Sequence, residues 1–205
     1  MANLKKYTTK SFCGIAKHCL REIMPSNADP QRTSTNYNLC EHGNTYADVS
    51  RYYRQRLSEL HVMQRADVKT NCNWTITAPK DLPAHLHQKF FQETKTFLDK
   101  KYGEENNLYA TVHMDEATPH MHYSFIPTVY DVKRGRLKVS AYEVLTKQHL
   151  TTWHNEFSQY LKSKGIACDT SSGITRAQGG NRTINELKQS RWHEQKHELS
   201  HLFSD

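Results

Sequence analysis

The 205-residue chain carries 28 Lys or Arg against 21 Asp or Glu, a net charge of +7, and is long enough for one domain with a true core or a domain with a helical tail. Its basic surplus favours an anionic partner, nucleic acid ahead of a membrane surface. There is no run of about 18 apolar residues, no apolar signal region behind Met1 and no Cys-x-x-Cys among the five cysteines; this argues against a membrane span, secretion, a disulfide framework or a zinc ribbon, and leaves the cytoplasm as the expected compartment.

Residues 3–10 read as a short polar strand at a sheet edge. Ser11 is placed to N-cap a helix running to residue 23, because Phe12, Ile15, Cys19 and Ile23 recur at helical spacing; His18 sits at the boundary of that stripe. Residues 25–36 are loop-like, with Pro25, Asn27, Asp29 and Pro30, and residues 35–39 turn strand-like. A helix over 46–63 puts Val49, Tyr52, Tyr53, Leu57, Leu60 and Met63 on its apolar side, so the paired tyrosines fit packing better than chemistry. Residues 71–77 read as a strand. After a turn from Pro79 to Pro83, residues 84–102 form an amphipathic helix closed by Gly103. His85 and His87 point apart on such a helix and make a poor ligand pair.

The densest chemistry lies in His113-Met114-Asp115-Glu116-Ala117-Thr118-Pro119-His120-Met121-His122, with three imidazoles and two carboxylates in ten positions. Residues 108–113 are aromatic and β-branched, and residues 122–127 alternate until Pro127 stops them, so two strands flank a turn that Pro119 closes. Residues two apart on a strand share a face, which projects His120 and His122 together; His113 completes a triangle if the strands pair side by side. Three protein ligands with open positions are the arrangement of a catalytic metal site. Imidazole accepts Zn, Cu, Fe or Ni, so these residues alone do not choose the ion.

Downstream, residues 129–138 read as a hairpin or loop in which Lys133, Arg134 and Arg136 offer DNA contacts beside the metal site. A helix over 145–164 is ended by Gly165, and a Ser/Thr/Gly-rich connection at 168–182 leads to a charged helix at 183–205. That last helix contains His193-Glu194-Gln195-Lys196-His197, the zincin pattern. It is polar on nearly all sides and has only His201 within reach as a third ligand, which fits a solvated helix better than a metal site.

The His120-Met121-His122 pair resembles the signature of the HUH endonucleases, and the longer His-x-Asp-Glu-x-x-Pro-His-Met-His pattern resembles the MobV, or Mob/Pre, relaxases of mobilisable plasmids and transposons. The resemblance implies an α+β, HUH-type relaxase domain over residues 1–182, with a mainly antiparallel sheet of about five strands and helices packed on its faces. It also implies nicking and joining of one DNA strand at a transfer origin that is single-stranded at the nick and flanked by duplex or hairpin.

The family's early Lys-His followed by Arg matches Lys17-His18 and Arg21, which makes His18 the implied nucleophile and a 5′-phosphoryl adduct the implied intermediate; Leu20 stands where the family has an acidic residue. The run Asp29-Pro30-x-Arg32-x-x-x-Asn36-Tyr37 resembles the family's second block, and Tyr37 is a rival nucleophile because tyrosine serves most HUH enzymes. Arg65 matches a third block and joins Arg21 and Arg32 as candidates for gripping phosphate. His113, His120 and His122 are the implied ligands of a divalent metal, Mn2+ foremost and Mg2+ or Zn2+ as alternatives, and Glu116 is the group to orient His18 or take its proton. Asp115 is equally suited to holding the turn. The family continues into a C-terminal region used for dimerisation or membrane association, so a truncated relaxase domain, with any homodimer formed through residues beyond this chain, is expected. Two further readings stay open: a three-histidine zinc hydrolase with Glu116 as base to a metal-bound water, and a DNA-binding module whose metal is structural.

Overall fold

The computed structural model describes residues 2–168 and 170; the helix expected at 183–205, with its His193 to His197 pattern and His201, and most of the 168–182 connection lie outside them. The strands are β1 (Ala2–Thr8), β2 (Tyr37–Asn38), β3 (Lys69–Thr77), β4 (Asn107–His113), β5 (His120–Phe125), β6 (Thr128–Asp131) and β7 (Arg136–Val139). The helices are α1 (Thr9–Cys19), α2 (Tyr46–Ser58), α3 (His87–Tyr102), α4 (Ala141–Val144) and α5 (Lys147–Ser163). Five strands form one sheet in the order β1-β3-β5-β4-β2, antiparallel at every step, as the α+β expectation required; β6 and β7 pair as a separate hairpin.

Alternation along the strands decides the layering. Cys72, Trp74 and Ile76 of β3 join Ala110, Val112, Met121, Tyr123 and Phe125 in a core that α3 and α5 close with Phe90, Phe97, Trp153 and Phe157. Trp74 and Trp153 stack there, ring centroids 4.4 Å apart, and burial of each such side chain contributes about 1.5–3 kcal/mol. On the other face, Phe12, Ala16, Val49 and Tyr53 of α1 and α2 bury against Leu108 and Tyr109. The remaining residues of that face are polar yet buried, among them Asn71, Asn73, Thr111, His113, His120, His122 and Ser124.

Strand direction puts the N-terminal helix where it matters. Thr77 pairs with His120 at one end of the sheet and Lys69 with Thr8 at the other, so β1 ends far from the histidines. The helix α1 then doubles back and brings its last turn, with Lys17, His18 and Cys19, to the histidine end. Its N-cap is Thr8, which exchanges a capping box with Ser11, one turn ahead of the expected start. It also stops at Cys19, leaving Ile23 51% exposed instead of buried.

Other boundaries shift for local reasons. Residues 30–35 form a 3-10 helix capped by the Asp29 side chain, and only Tyr37 and Asn38 of the strand-like stretch pair with β4. The second helix ends at Ser58, so Met63 is exposed while Leu60 still packs. Gly103 ends α3 at φ +85°, where a Cβ would meet the Glu105 carboxylate at 2.6 Å. Among the described residues no helix is long and apolar enough to cross a membrane.

Candidate metal centre

Pairing of β4 with β5 sets His113 directly opposite His120 and Thr111 opposite His122, so the three rings leave one face of adjacent strands. Their centroids lie 4.9–5.0 Å apart, and one nitrogen from each ring falls within 4.8 Å of the others. Backbone and side-chain acceptors choose which nitrogen that is. His113 Nε2 donates to the Cys19 carbonyl at 2.7 Å and His120 Nδ1 to the Thr118 carbonyl at 3.0 Å. His122 Nδ1 faces Asn73 Oδ1 at 3.4 Å and Thr75 Oγ1 at 3.3 Å. The lone pairs of His113 Nδ1, His120 Nε2 and His122 Nε2 are therefore left to converge, and second partners of this kind fix tautomer and basicity in metal-binding histidines. Burial, reinforced by Arg21 and the neighbouring rings, lowers the pKa of His113 to about 3 and that of His122 well below the ordinary value, so both are neutral. Three ring nitrogens facing one point fit a divalent transition-metal ion, with positions left open for a substrate.

The turn between the strands is fastened by Asp115, whose side chain is fully buried. It accepts Arg21 Nε at 3.0 Å and Nη2 at 2.7 Å, Asn36 Nδ2 at 2.7 Å and Thr33 Oγ1 at 3.4 Å. Asn36 Oδ1 in turn accepts the Met114 amide at 2.7 Å, and the Asp29 amide donates to the Asp115 carbonyl at 2.8 Å. Residues 29–36, which sequence alone presents as a loop, thus staple the turn to the helix exit. Glu116 also sits in this network: its oxygens accept Arg21 Nη2 and Asn27 Nδ2, each at 2.7 Å, and Oε1 lies 3.9 Å from His120 Nε2.

His18 is half-buried, its ring edge-on to that of His122 with centroids 6.1 Å apart. Burial first, then the Arg21 charge, lowers its pKa, while Glu116 acts in the opposite sense. Tyr37 lies elsewhere. It pairs with Val112 and packs on the α3 side of the sheet, so it sits on the face opposite the three histidines, and burial raises its pKa. A rival nucleophile at Tyr37 is at odds with that register.

The candidate phosphate ligands divide. Arg21 has a φ of 59°, a left-handed conformation unusual for a side-chain-bearing residue. Its Nε and Nη2 are taken by carboxylates, whereas the buried Nη1 has no hydrogen-bond partner among the described residues. Arg32 donates from Nη2 to the Met114 carbonyl at the rim of the turn. Arg65 pairs with Asp67, both exposed, just ahead of the end of β3 that lies away from the histidines. Lys133, Arg134 and Arg136 do occupy an exposed hairpin, but not beside the metal centre: β5 starts at His120, and the hairpin follows its other end, about 17–20 Å along a strand of this length. Asn73, Thr75 and the Cys19 carbonyl were not singled out in the sequence. The alternation Asn71, Asn73, Thr75 against Cys72, Trp74, Ile76 was the available sign of a buried polar face.

The Mob_Pre family model, described as plasmid recombination enzyme, matches residues 1–189. A plasmid recombination enzyme of Lactiplantibacillus plantarum is 30% identical over 200 residues, covering 93% of this chain and 53% of the relative. A type 3 plasmid recombination enzyme of Staphylococcus aureus is 31% identical over 188 residues, covering 86% and 44%. The chain thus spans about half the length of these relatives. Among solved structures, the Mn-bound MobM relaxase domain, in complex with a 22-nucleotide oriT DNA of plasmid pMV158, superposes with a TM-score of 0.77 at 25% identity, covering 93% of this chain and 98% of that one. The fold is that of the MobM relaxase domain, and the chain belongs to the Mob/Pre family of plasmid recombination enzymes.

Proposed function

We propose that the chain is the nicking domain of a relaxase that cuts and rejoins one strand of a transfer origin, with His18 as nucleophile. The observation that carries this reading is the placement of the His18 ring 6.1 Å from that of His122, on the sheet face where the three ligand nitrogens converge. His113, His120 and His122 would hold a divalent cation, Mn2+ by likeness to MobM, which when bound would supply Lewis-acid charge for phosphoryl transfer. Arg21 Nη1 adds a buried donor to the non-bridging oxygens of the scissile phosphate, its guanidinium plane held by Asp115 and Glu116.

Neutral His18 attacks the phosphorus through a ring lone pair. An N–P bond forms, the P–O3′ bond breaks with its electron pair on the 3′ oxygen, and that oxygen takes a proton from water. The ring, now cationic, passes its N–H proton towards Glu116 or solvent. The link retains the energy of the broken bond, so joining is the reverse of cutting. The DNA is single-stranded at the nick, while Lys133, Arg134 and Arg136, at the remote end of the sheet, contact flanking duplex or hairpin.

The test is an intact mass spectrum of the chain after incubation with a single-stranded oligonucleotide of its own element's origin and Mn2+, followed by peptide mapping. An adduct mapped to His18 is expected. Cleaved DNA without an adduct would favour a zinc hydrolase with Glu116 as base, no cleavage a binding module, and an adduct on Tyr37 would reassign the nucleophile.

A further inference from the structure

A cleft of about 480 Å³ lies on the other side of the turn that carries the metal ligands, lined by Arg32, Tyr37, His87, Gln88 and Met114. We infer that it is a nucleotide subsite, receiving one base of the single strand a few nucleotides from the nick. This assignment rests on the nicking reading above and extends it to residues outside the metal centre.

Position is the first argument. Met114 directly follows the ligand His113, and Tyr37 pairs with Val112, so cleft and metal centre occupy the two faces of the same strand end. A strand leaving the three histidines over the rim of the turn meets this cleft next.

Chemistry is the second. Tyr37 is half-buried and packs on the α3 core, which gives it a fixed ring on which a base can stack, with Met114 as a soft apolar partner. Arg32 is exposed, and its bond to the Met114 carbonyl keeps the guanidinium at the rim, where a backbone phosphate would pass. Gln88, exposed on the first turn of α3, offers an amide that can both donate to and accept from a base edge. His87 is held through Nε2 by the Leu82 carbonyl at 3.3 Å, which leaves Nδ1 as an acceptor. An aromatic platform, a cation at the rim and an amide together are the equipment of single-strand recognition. Duplex DNA, whose bases are already stacked and paired, has no base to insert.

The experiment compares binding by the Mn2+-loaded full chain, measured by fluorescence anisotropy, to a labelled oligothymidylate and to a random duplex of equal length, at one fixed salt concentration. Gln88→Ala and Tyr37→Leu are tested separately and together; Gln88 is exposed, so its variant keeps the test valid if the tyrosine variant folds poorly. The expected result is a loss of about fivefold or more for the single strand with duplex binding unchanged. In a parallel arm, photo-cross-linking of 5-iodouracil DNA to a peptide containing Tyr37 is expected. Unchanged single-strand binding in both variants would overturn the subsite while leaving the nicking reading intact. An equal loss on both DNAs would also overturn it, since that marks a general phosphate contact. A wild-type chain that binds neither DNA would remove the nicking reading, and the subsite with it.

Discussion

The ring of His113 donates its Nε2 proton to the carbonyl oxygen of Cys19, 2.7 Å away. One of the three ligand candidates is therefore tethered to the backbone of the residue that follows His18. The acceptor lies at the C-terminal end of α1, where unpaired carbonyls carry partial negative charge. The bond does two things at once: it turns the Nδ1 lone pair towards the other rings, and it sets the distance between the helix bearing His18 and the strands bearing the three clustered histidines.

Nucleophile exchange gives the sharpest contrast. With His18→Ala, covalent adduct and strand cleavage should fall by at least about 10³-fold, the loss typical when an attacking group is removed. Tyr37→Phe keeps the ring, lies on the opposite face from the ligands, and should nick within about threefold of the parent, since only a hydroxyl is lost. Denaturing gels of labelled oligonucleotide read both. Retained nicking in the first variant together with loss in the second would reverse the assignment.

Support of the ligands should be measurable without any DNA. Asn73→Ala removes the acceptor facing His122 Nδ1 and a donor to the Tyr109 hydroxyl at 2.9 Å. Removal of such an outer partner lowers metal affinity by about 10–100-fold, which calorimetric titration with Mn2+ would resolve; His122→Ala should abolish the high-affinity site outright. If Asn73→Ala binds Mn2+ as the parent does, Thr75 alone orients the ring.

Asp115 is a matter of stability as much as of position. Asp115→Asn leaves Arg21, almost fully buried, with Glu116 as its sole carboxylate, and breaking a buried pair costs about 3–5 kcal/mol. Equilibrium unfolding in urea is expected to show a loss near the lower end of that range, because Glu116 compensates in part. Burial would raise the Asp115 pKa, but hydrogen bonds from Arg21 and Asn36 outweigh it and bring the value from 3.8 to about 2. A folded value below the unfolded one means the stabilisation is complete above pH 4 or so and disappears as pH falls towards 2. The variant should lack that acid-dependent component.

How much of this was legible in the sequence follows from the physics of each feature. The His120-x-His122 pair and the pairing of two strands around Pro119 could be read from a period of two, and α3 from its apolar stripe. A backbone carbonyl such as that of Cys19 has no signature in a sequence, so the tie between α1 and His113 could not be found. The basic hairpin was placed beside the metal by adjacency in the chain. A strand, however, carries the chain away from where it starts, and β5 begins at His120. The face of Tyr37 depended on a register of two residues with β4, too short to fix from pattern. Arg21 looked like a phosphate ligand in general; that two of its nitrogens are held by carboxylates and one is left over required coordinates.

The pH profile tests the electrostatics of the proposed nucleophile, His18. Attack needs neutral His18, and both burial and the Arg21 charge lower its pKa from 6.5, so the acid limb of the nicking rate should fall below pH 6.5. A cation among the neighbouring rings acts in the same direction. Protonation of His113 and His122 does not mask the effect, since burial holds His113 at about 3 and His122 well below its ordinary value. Glu116 raises the His18 pKa, so Glu116→Gln should move the limb further towards acid even as it slows the reaction by removing a proton acceptor. Rates measured with saturating Mn2+ from pH 4.5 to 7.5 separate the two effects, the midpoint reporting charge and the plateau proton transfer. A limb that stays in place or moves towards neutrality in Glu116→Gln would mean that the carboxylate charge does not act on the His18 ring, since losing that charge and freeing Arg21 from one partner both lower the His18 pKa.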